Sequence, residues 1–284
     1  MNNSSIEKIN IDKVLRQKLP RYYKFIPRFL IKWMERIICQ DRLNELLDSN
    51  KSKTNADFCR GMLKDLNITV NVKGAENLPP RENRRVVIVS NHPLGGLDGI
   101  ALIDFLDRYY GGKIHFIVND ILMVIKPLNG VFLPINKHGK QSRQSFRAIE
   151  EAFAGNDPIM IFPAGLVSRK GKGGEIADLK WQKMFVNKSI EYHRNVIPMY
   201  FDGKNSPFFY NFAKLRSRLG LKFNIEMIYL PREMVRSENA KYTISIGSPI
   251  LWESLCPTSD CDAQHRAEEV RAIVYGLKEE SHRK

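Results

Sequence analysis

Apolar residues change their spacing near residue 67. Before it they recur at helical steps. Phe29, Trp33 and Ile37 make one four-residue series and Leu30, Met34 and Ile38 another, forming one apolar stripe beside Arg28, Lys32 and Arg36. A second helix is predicted over 54–66, beyond the polar break at 48–53. After it, short apolar runs alternate with helical stretches. Strands are predicted at 68–72, 86–90, 113–118, 131–135, 159–162, 196–201, 223–228 and 242–246. Helices are predicted near 98–109, 140–154, 178–192, 206–219 and 260–278. The runs VVIV and IMIF lack polar alternation, as expected of strands buried on both faces. The pattern predicts an α/β fold: a mixed, largely parallel sheet flanked by helices. Residues 1–66 read as an N-terminal helical segment and 67–284 as the α/β domain.

Composition narrows the partners. Of 284 residues, 43% are hydrophobic, enough for one large core or two small ones. With 45 Lys and Arg against 31 Asp and Glu, the formal charge is +14, which favours nucleic acid, an anionic lipid surface or a phosphate-bearing substrate. Cys39, Cys59, Cys256 and Cys261 are scattered, with no CxxC and no His at zinc-like spacing. They read as free thiols in a reducing compartment, so no metal is expected and the chain is placed on the cytoplasmic side. No apolar run reaches the roughly 18 residues of a spanning helix, and the polar start MNNSSIEKINIDK has no signal-peptide core.

The segment 13–36 carries eight basic residues and one acid, interleaved with aromatics. Arg21, Tyr22, Arg28, Phe29, Lys32, Trp33 and Arg36 suit peripheral docking on an anionic membrane, where each Lys or Arg contributes roughly 1 kcal/mol. The competing reading packs Phe29, Trp33 and Ile37 against the α/β domain.

Chemistry concentrates in VVIVSNHPLGGLDG. Strand ends of open α/β sheets gather ligands, and His92 stands two residues beyond VVIVS. Pro93 holds His92 in extended geometry, and Gly95 and Gly96 permit a tight reversal. Asp98 then falls at the start of a predicted helix. A carboxylate brought back onto the imidazole fixes its tautomer and leaves the other nitrogen free to take a proton from a hydroxyl. As alternatives, Asp98 is a simple helix cap and His92 a structural histidine.

Further blocks follow: GVFLPINK at 130–137, IMIFPAGLVSRK at 159–170 and VIPMYF at 196–201. In this order the four resemble the motif blocks of the lysophospholipid acyltransferase family, glycerolipid acyltransferases that include bacterial 1-acylglycerol-3-phosphate acyltransferase. Asn91, His92 and Asp98 match the first block, Asn-His-x4-Asp, with one extra residue. Gly130 and Lys137 approximate the second. Phe162, Pro163 and Gly165 match the third, and Ile197, Pro198 and Met199 the fourth. The resemblance covers about 68–250 and implies a glycerol-3-phosphate acyltransferase-like fold. It also implies transfer of a fatty acyl group from acyl-CoA or an acyl carrier protein to a lysolipid hydroxyl. His92 is then general base and Asp98 its orienting acid. No covalent acyl-enzyme and no bound cofactor are needed, the thioester being a co-substrate already activated. Backbone N–H groups near Gly165 are candidate oxyanion donors.

The match departs from the family in three places. The His–Asp spacing is one residue longer, Ala164 replaces the third block's Glu, and Lys137, beside Asn136, replaces the second block's Arg. A lysine offers phosphate a point charge rather than a bidentate fork. Together with HPxGxxDG and FPAGxVS, this resembles the hemolysin-like branch that acylates lyso-aminolipids such as lyso-ornithine or lyso-glycine lipids. The main alternative is a phosphate acceptor gripped by Lys137, Arg169 and Lys170. The substrate-binding set is therefore Asn91, Gly95, Gly96, Asn136, Lys137, Phe162, Pro163, Gly165, Ser168, Arg169 and Lys170. The loop SRKGKGG either cradles a phosphate or is a solvated basic loop; GxxxxGK[ST], GxSxG and GxGxxG are all missing. A non-enzymatic lipid-binding or nucleic-acid-binding protein is the remaining rival. Nucleic acid is not expected, because no helix-turn-helix, RRM or zinc-finger pattern occurs.

Overall fold

The computed structural model describes residues 8–18, 20–135, 142–171, 173–221 and 224–282. Four helices open the chain: α1 (Ile11–Lys18), α2 (Arg28–Ile37), α3 (Gln40–Ser49) and α4 (Asn55–Asp65). Pro27 caps the start of α2, and Cys39, in the left-handed region at φ 52°, turns the chain sharply into α3. Then follow β1 (Thr69–Lys73), β2 (Val86–Ser90), α5 (Leu97–Tyr110), β3 (His115–Asn119), β4 (Phe132–Ile135), α6 (Arg143–Ala154) and β5 (Ile159–Ile161). The chain continues through β6 (Arg169–Lys170), β7 (Ile176–Ala177), α7 (Met184–Glu191), β8 (Asn195–Asp202), α8 (Pro207–Arg218), α9 (Leu230–Arg236), β9 (Lys241–Ile246) and α10 (Ala263–His282).

Among the described residues, seven strands form one sheet in the order β1-β9-β8-β2-β5-β3-β4, and β6 and β7 form a separate hairpin. All sheet neighbours are parallel except β8 with β9. The carboxyl ends of β2, β5, β3 and β8 therefore share one edge. Alternation along β2 supplies both faces. Val86 and Ile88 face the core shared with α4 and α5, while Val87 and Val89 face the core beneath α6, α7 and α10. This is the mixed, largely parallel, helix-covered sheet expected from the sequence. Leu46, Phe58, Met62 and Leu66 lie in the same core as β2 and α5. Arg60 ties α4 to Asp104 at 3.0 Å and Asp107 at 3.3 Å on α5. The change of pattern at 66–67 thus marks a change of element type inside one shared core. No helix among the described residues is long and apolar enough to cross a membrane.

Three expectations change. The described part of the apolar run at 223–228, from 224 on, does not make a strand; Ile225–Tyr229 is a 3-10 turn. Its Glu226 is fully buried with Arg169 Nη2 at 2.8 Å and Arg216 Nε at 2.7 Å, and α9 begins directly afterwards at Leu230 with Pro231 in its first turn. Satisfying that carboxylate outweighs the strand pattern. The helix predicted over 178–192 begins only at Met184, because residues 178–183 make long-range bonds: Trp181 N–H to Glu268 at 2.9 Å and Gln182 N–H to the Pro163 carbonyl at 3.0 Å. The stripe on α2 is divided, with Ile37 and Ile38 buried, Leu30 and Met34 half-buried, and Phe29 and Trp33 exposed.

Arg194 fixes the other end of the sheet. It is fully buried, and its guanidinium donates to the carbonyls of Ala152, Phe153 and Gly155 at the end of α6, of Asp157, and of Val86. The helix-end carbonyls that lack intrahelical partners are thus satisfied. Burial pulls its pKa down to about 10, so it remains cationic at neutral pH.

Candidate active site

β2 ends at Ser90 and delivers Asn91 and His92 to the common carboxyl edge. Gly95, at φ +87°, turns the chain back. A Cβ there would stand 2.8 Å from Leu230 and Val167 side chains, so glycine is required for both conformation and space. The reversal carries Asp98 into the first turn of α5, where it is fully buried. Its Oδ2 lies 3.1 Å from His92 Nδ1 and accepts the N–H groups of Leu94 (2.9 Å) and Gly95 (3.3 Å), while Oδ1 accepts Gly99 N–H (2.9 Å). Asp98 therefore caps the loop and holds the imidazole at once. Burial works to raise its pKa. The neighbouring His92 charge and the hydrogen bonds from His92, Leu94 and Gly99 outweigh it and hold the carboxyl below the ordinary carboxylate value.

The imidazole stacks on Phe162 at 4.1 Å between centroids, with 26° between planes. Its side chain keeps 14% exposure, so the ring is packed yet reachable. The His92 backbone is pinned as well. Its N–H donates to Asp178 Oδ1 at 3.1 Å, and its carbonyl accepts Ser168 N–H at 2.8 Å. Asp178 accepts Ser168 Oγ–H at 2.5 Å and Trp181 Nε1–H at 2.9 Å, and its own N–H donates to Tyr275 Oη at 2.7 Å. Burial pushes the Asp178 carboxyl above its ordinary value, against these hydrogen bonds. The arrangement is a hydrogen-bonded His–carboxylate pair in which Asp98 engages Nδ1, so that proton exchange with a hydroxyl falls to Nε2.

A family model described as acyltransferase matches residues 13–282. The chain belongs to this acyltransferase family. It is 46% identical over 277 residues to the lyso-glycine lipid O-acyltransferase of Phocaeicola vulgatus, with 98% of each chain covered. It is 43% identical to the protein of the same name from Bacteroides thetaiotaomicron, covering 98% of this chain and all of that one. Among solved structures it is similar to the 1-acyl-sn-glycerophosphate (LPA) acyltransferase PlsC of Thermotoga maritima. That match has TM-score 0.49 and 18% identity, and covers 96% of this chain and 99% of that one. The protein is an acyltransferase enzyme.

Around the dyad of this acyltransferase, the other predicted residues divide by what their atoms contact. Asn91 is buried; its Nδ2 donates to the Phe201 carbonyl at 3.0 Å and its Oδ1 accepts Phe201 N–H at 2.7 Å, so it ties β2 to β8. Phe162 lies against the imidazole, and Gly96 has open space around it. Pro163 lies in the turn after β5, where Gly165 N–H donates to the Phe162 carbonyl at 2.9 Å. The Gly165 amide is therefore engaged in the turn rather than directed at an oxyanion. Ser168 points inward to Asp178. Arg169, which the alternative reading places at a phosphate, directs its guanidinium to Glu226, the Val167 carbonyl and the Ser168 carbonyl. A buried carboxylate 57 positions away meets its charge instead. Lys170 is exposed on the β6–β7 hairpin. Asn136 and Lys137 lie outside the described residues.

Arg21, Tyr22, Arg28, Phe29, Lys32, Trp33 and Arg36 are all exposed. Away from the dyad, Cys261, His265 and Glu269 bring one potential ligand atom each within 4.8 Å of the others on the surface at the start of α10. The sequence reading passed over that trio, although Glu269 is also paired with Arg266 at 2.8 Å. Asp178 was missed too. It stands at the start of a predicted helix, and only folding brings residues 92, 168 and 275 around it.

Proposed function

We propose that this acyltransferase moves a fatty acyl group from an acyl-CoA or acyl carrier protein thioester to the free hydroxyl of a lyso-glycine lipid. The observation that carries the reading is the His92–Asp98 pair at a strand end, in a chain 46% identical over nearly its whole length to a lyso-glycine lipid O-acyltransferase. Asp98 engages Nδ1, so Nε2 is the atom that takes the acceptor proton as the hydroxyl oxygen attacks the thioester carbonyl. The tetrahedral adduct then collapses, the carbon–sulfur bond breaks, and the imidazolium returns the proton to the departing thiolate. Asp98 stabilises the imidazolium between these steps. Asn91, Ser168 and Asp178 hold the loop, and Phe162 sets the ring plane.

Both the acceptor and the product are membrane lipids. The exposed basic and aromatic residues of α2 and its lead support peripheral docking on an anionic, cytoplasm-facing leaflet. The engagement of Arg169 with Glu226 disfavours a phosphate clamp built on that residue. The test is acyl transfer by the purified enzyme from labelled thioesters to lyso-glycine lipid, lyso-ornithine lipid and lysophosphatidate. Preference for lyso-glycine lipid, abolished in His92→Ala, is the expected result. Preference for lysophosphatidate overturns the substrate, and undiminished turnover by His92→Ala overturns the mechanism.

A further inference from the structure

α8 has two apolar faces. Phe209, Tyr210 and Ala213 are buried, with Phe209 and Tyr210 in a cluster that includes Ile37 and Ile38 at the end of α2 and Val167 beside the His92 loop. Phe208, Phe212, Leu215 and Leu219 follow at steps of four, three and four and make a second stripe on the opposite side. Of these, Phe208 is 47%, Leu215 53% and Leu219 66% exposed. A helix normally buries one stripe; on the outer one Phe208 and Phe212 lean edge-on against Tyr229, at 5.0 and 5.3 Å between ring centroids, while Leu215 and Leu219 stay more than half exposed.

Its position ties it to the site. The chain entering α8 leans on the His92 loop: Asn205 Nδ2 donates to the Pro93 carbonyl at 3.1 Å, and Gly203 packs on Leu94. Its charge selects the occupant. From 203 to 221 there is no acidic residue, while Lys204, Lys214 and Arg218 border the stripe and the whole chain carries +14. An apolar ridge edged only by cations complements an anionic leaflet, where the ridge enters the acyl region and the cations meet headgroups.

We propose that the outward stripe of α8 is a bilayer-inserting face that seats the loop bearing His92 at the headgroup level of an anionic membrane. This rests on the reading of the acceptor as a membrane lipid and adds a second anchor, independent of α2. The probe is the full-length enzyme with vesicles of phosphatidylcholine containing about one-third phosphatidylglycerol. The pair Leu215→Gln and Leu219→Gln keeps the wild-type melting point and already weakens vesicle binding; the triple variant that adds Phe208→Gln also removes its ring contacts with Phe212 and Tyr229 and is compared on its folded fraction. It lowers the vesicle partition coefficient by on the order of 30-fold or more. A separate Leu219→Trp enzyme gains fluorescence that is quenched by vesicles with brominated acyl chains, beyond the quenching of the native tryptophans. If wild type binds vesicles but the triple variant binds equally well, or the new tryptophan is not quenched, the assignment of α8 fails and the proposed function stands. It also fails if wild type is self-associated, the triple variant is monomeric and vesicle binding is unchanged, because the stripe then joins copies of the chain. A wild-type enzyme that ignores vesicles and transfers no acyl group to any lipid sinks the underlying reading instead.

Discussion

Replacing Asp98 with Asn separates charge from shape at the centre of the site. The carboxylate accepts hydrogen bonds on both oxygens: Oδ2 faces His92 Nδ1, Leu94 N–H and Gly95 N–H, and Oδ1 faces Gly99 N–H. An amide has one acceptor oxygen. If that oxygen takes the Oδ2 position, its NH2 confronts Gly99 N–H and leaves a buried donor unpaired, costing about 1–3 kcal/mol of stability. If the amide is flipped, its NH2 confronts two backbone donors and forces His92 to accept at Nδ1, which moves the ring proton onto the atom that must act as base. The first orientation loses less and prevails, yet it still lacks the negative charge that stabilises the imidazolium. Turnover falls by roughly 10²–10⁴, or about 2.7–5.4 kcal/mol of barrier at about 1.36 kcal/mol per tenfold. The assay is kcat with a labelled acyl thioester and lysolipid, alongside a thermal melt. Because the two side chains act as one unit, adding His92→Ala to Asp98→Asn produces no multiplicative further loss. Turnover of the single variant within about threefold of wild type, or full multiplication in the double variant, refutes the dyad.

Asp178→Ala strips the acceptor from His92 N–H, Ser168 Oγ–H and Trp181 Nε1–H, so kcat falls at least about tenfold with a smaller change in KM; steady-state kinetics checks this. Gly95→Ala, at φ +87° with 2.8 Å contacts, destabilises by about 1–3 kcal/mol and impairs turnover, whereas Gly96→Ala, in open space, is close to neutral; urea melts of the pair give the comparison. Arg194→Met orphans a group of buried carbonyls and lowers the unfolding free energy by about 3 kcal/mol or more, while acyl transfer by the folded fraction persists. Acid unfolding reports Asp98 directly. Its folded pKa lies below 3.8, so its stabilisation is complete above that value and disappears as the pH falls through the folded pKa. The stability gap between wild type and Asp98→Asn therefore stands at about pH 5 and narrows on further acidification as the carboxyl is protonated; a gap that stays constant through acid unfolding contradicts the assignment.

The centre of the sheet was legible because β2 and β5 are unbroken apolar runs, whereas the edge strand β1 and its neighbour β9 alternate polar and apolar residues. The failed strand at 223–228 shows the limit of that signal. Alternating apolar residues serve a strand and a short turn equally well, and the choice was made by Glu226 meeting Arg169 and Arg216. Arg169 carries the same lesson into the site. A cation in a glycine-rich loop looks identical in sequence whether it waits for a ligand or neutralises a distant carboxylate. Asp178 was hidden for the converse reason, since it only opens a predicted helix on the page and its partners His92, Ser168 and Tyr275 are brought to it by folding.

The longer spacing between His92 and Asp98 was the departure that most threatened the dyad, and the structure shows how the extra residue is accommodated. In the left-handed region Gly95 reverses the chain so that Leu94 and Gly95 direct their N–H groups onto the same carboxylate oxygen that faces His92. The additional residue therefore adds a turn around the acid rather than distance from the base. A side chain at 95 would meet Leu230, the first residue of α9, and Val167, which lies between the Gly165 turn and β6. The loop geometry is thus enforced from outside as well as by its own glycine. That is why the spacing alone was a poor guide: whether His92 and Asp98 meet is decided by φ at one residue and by what packs against it.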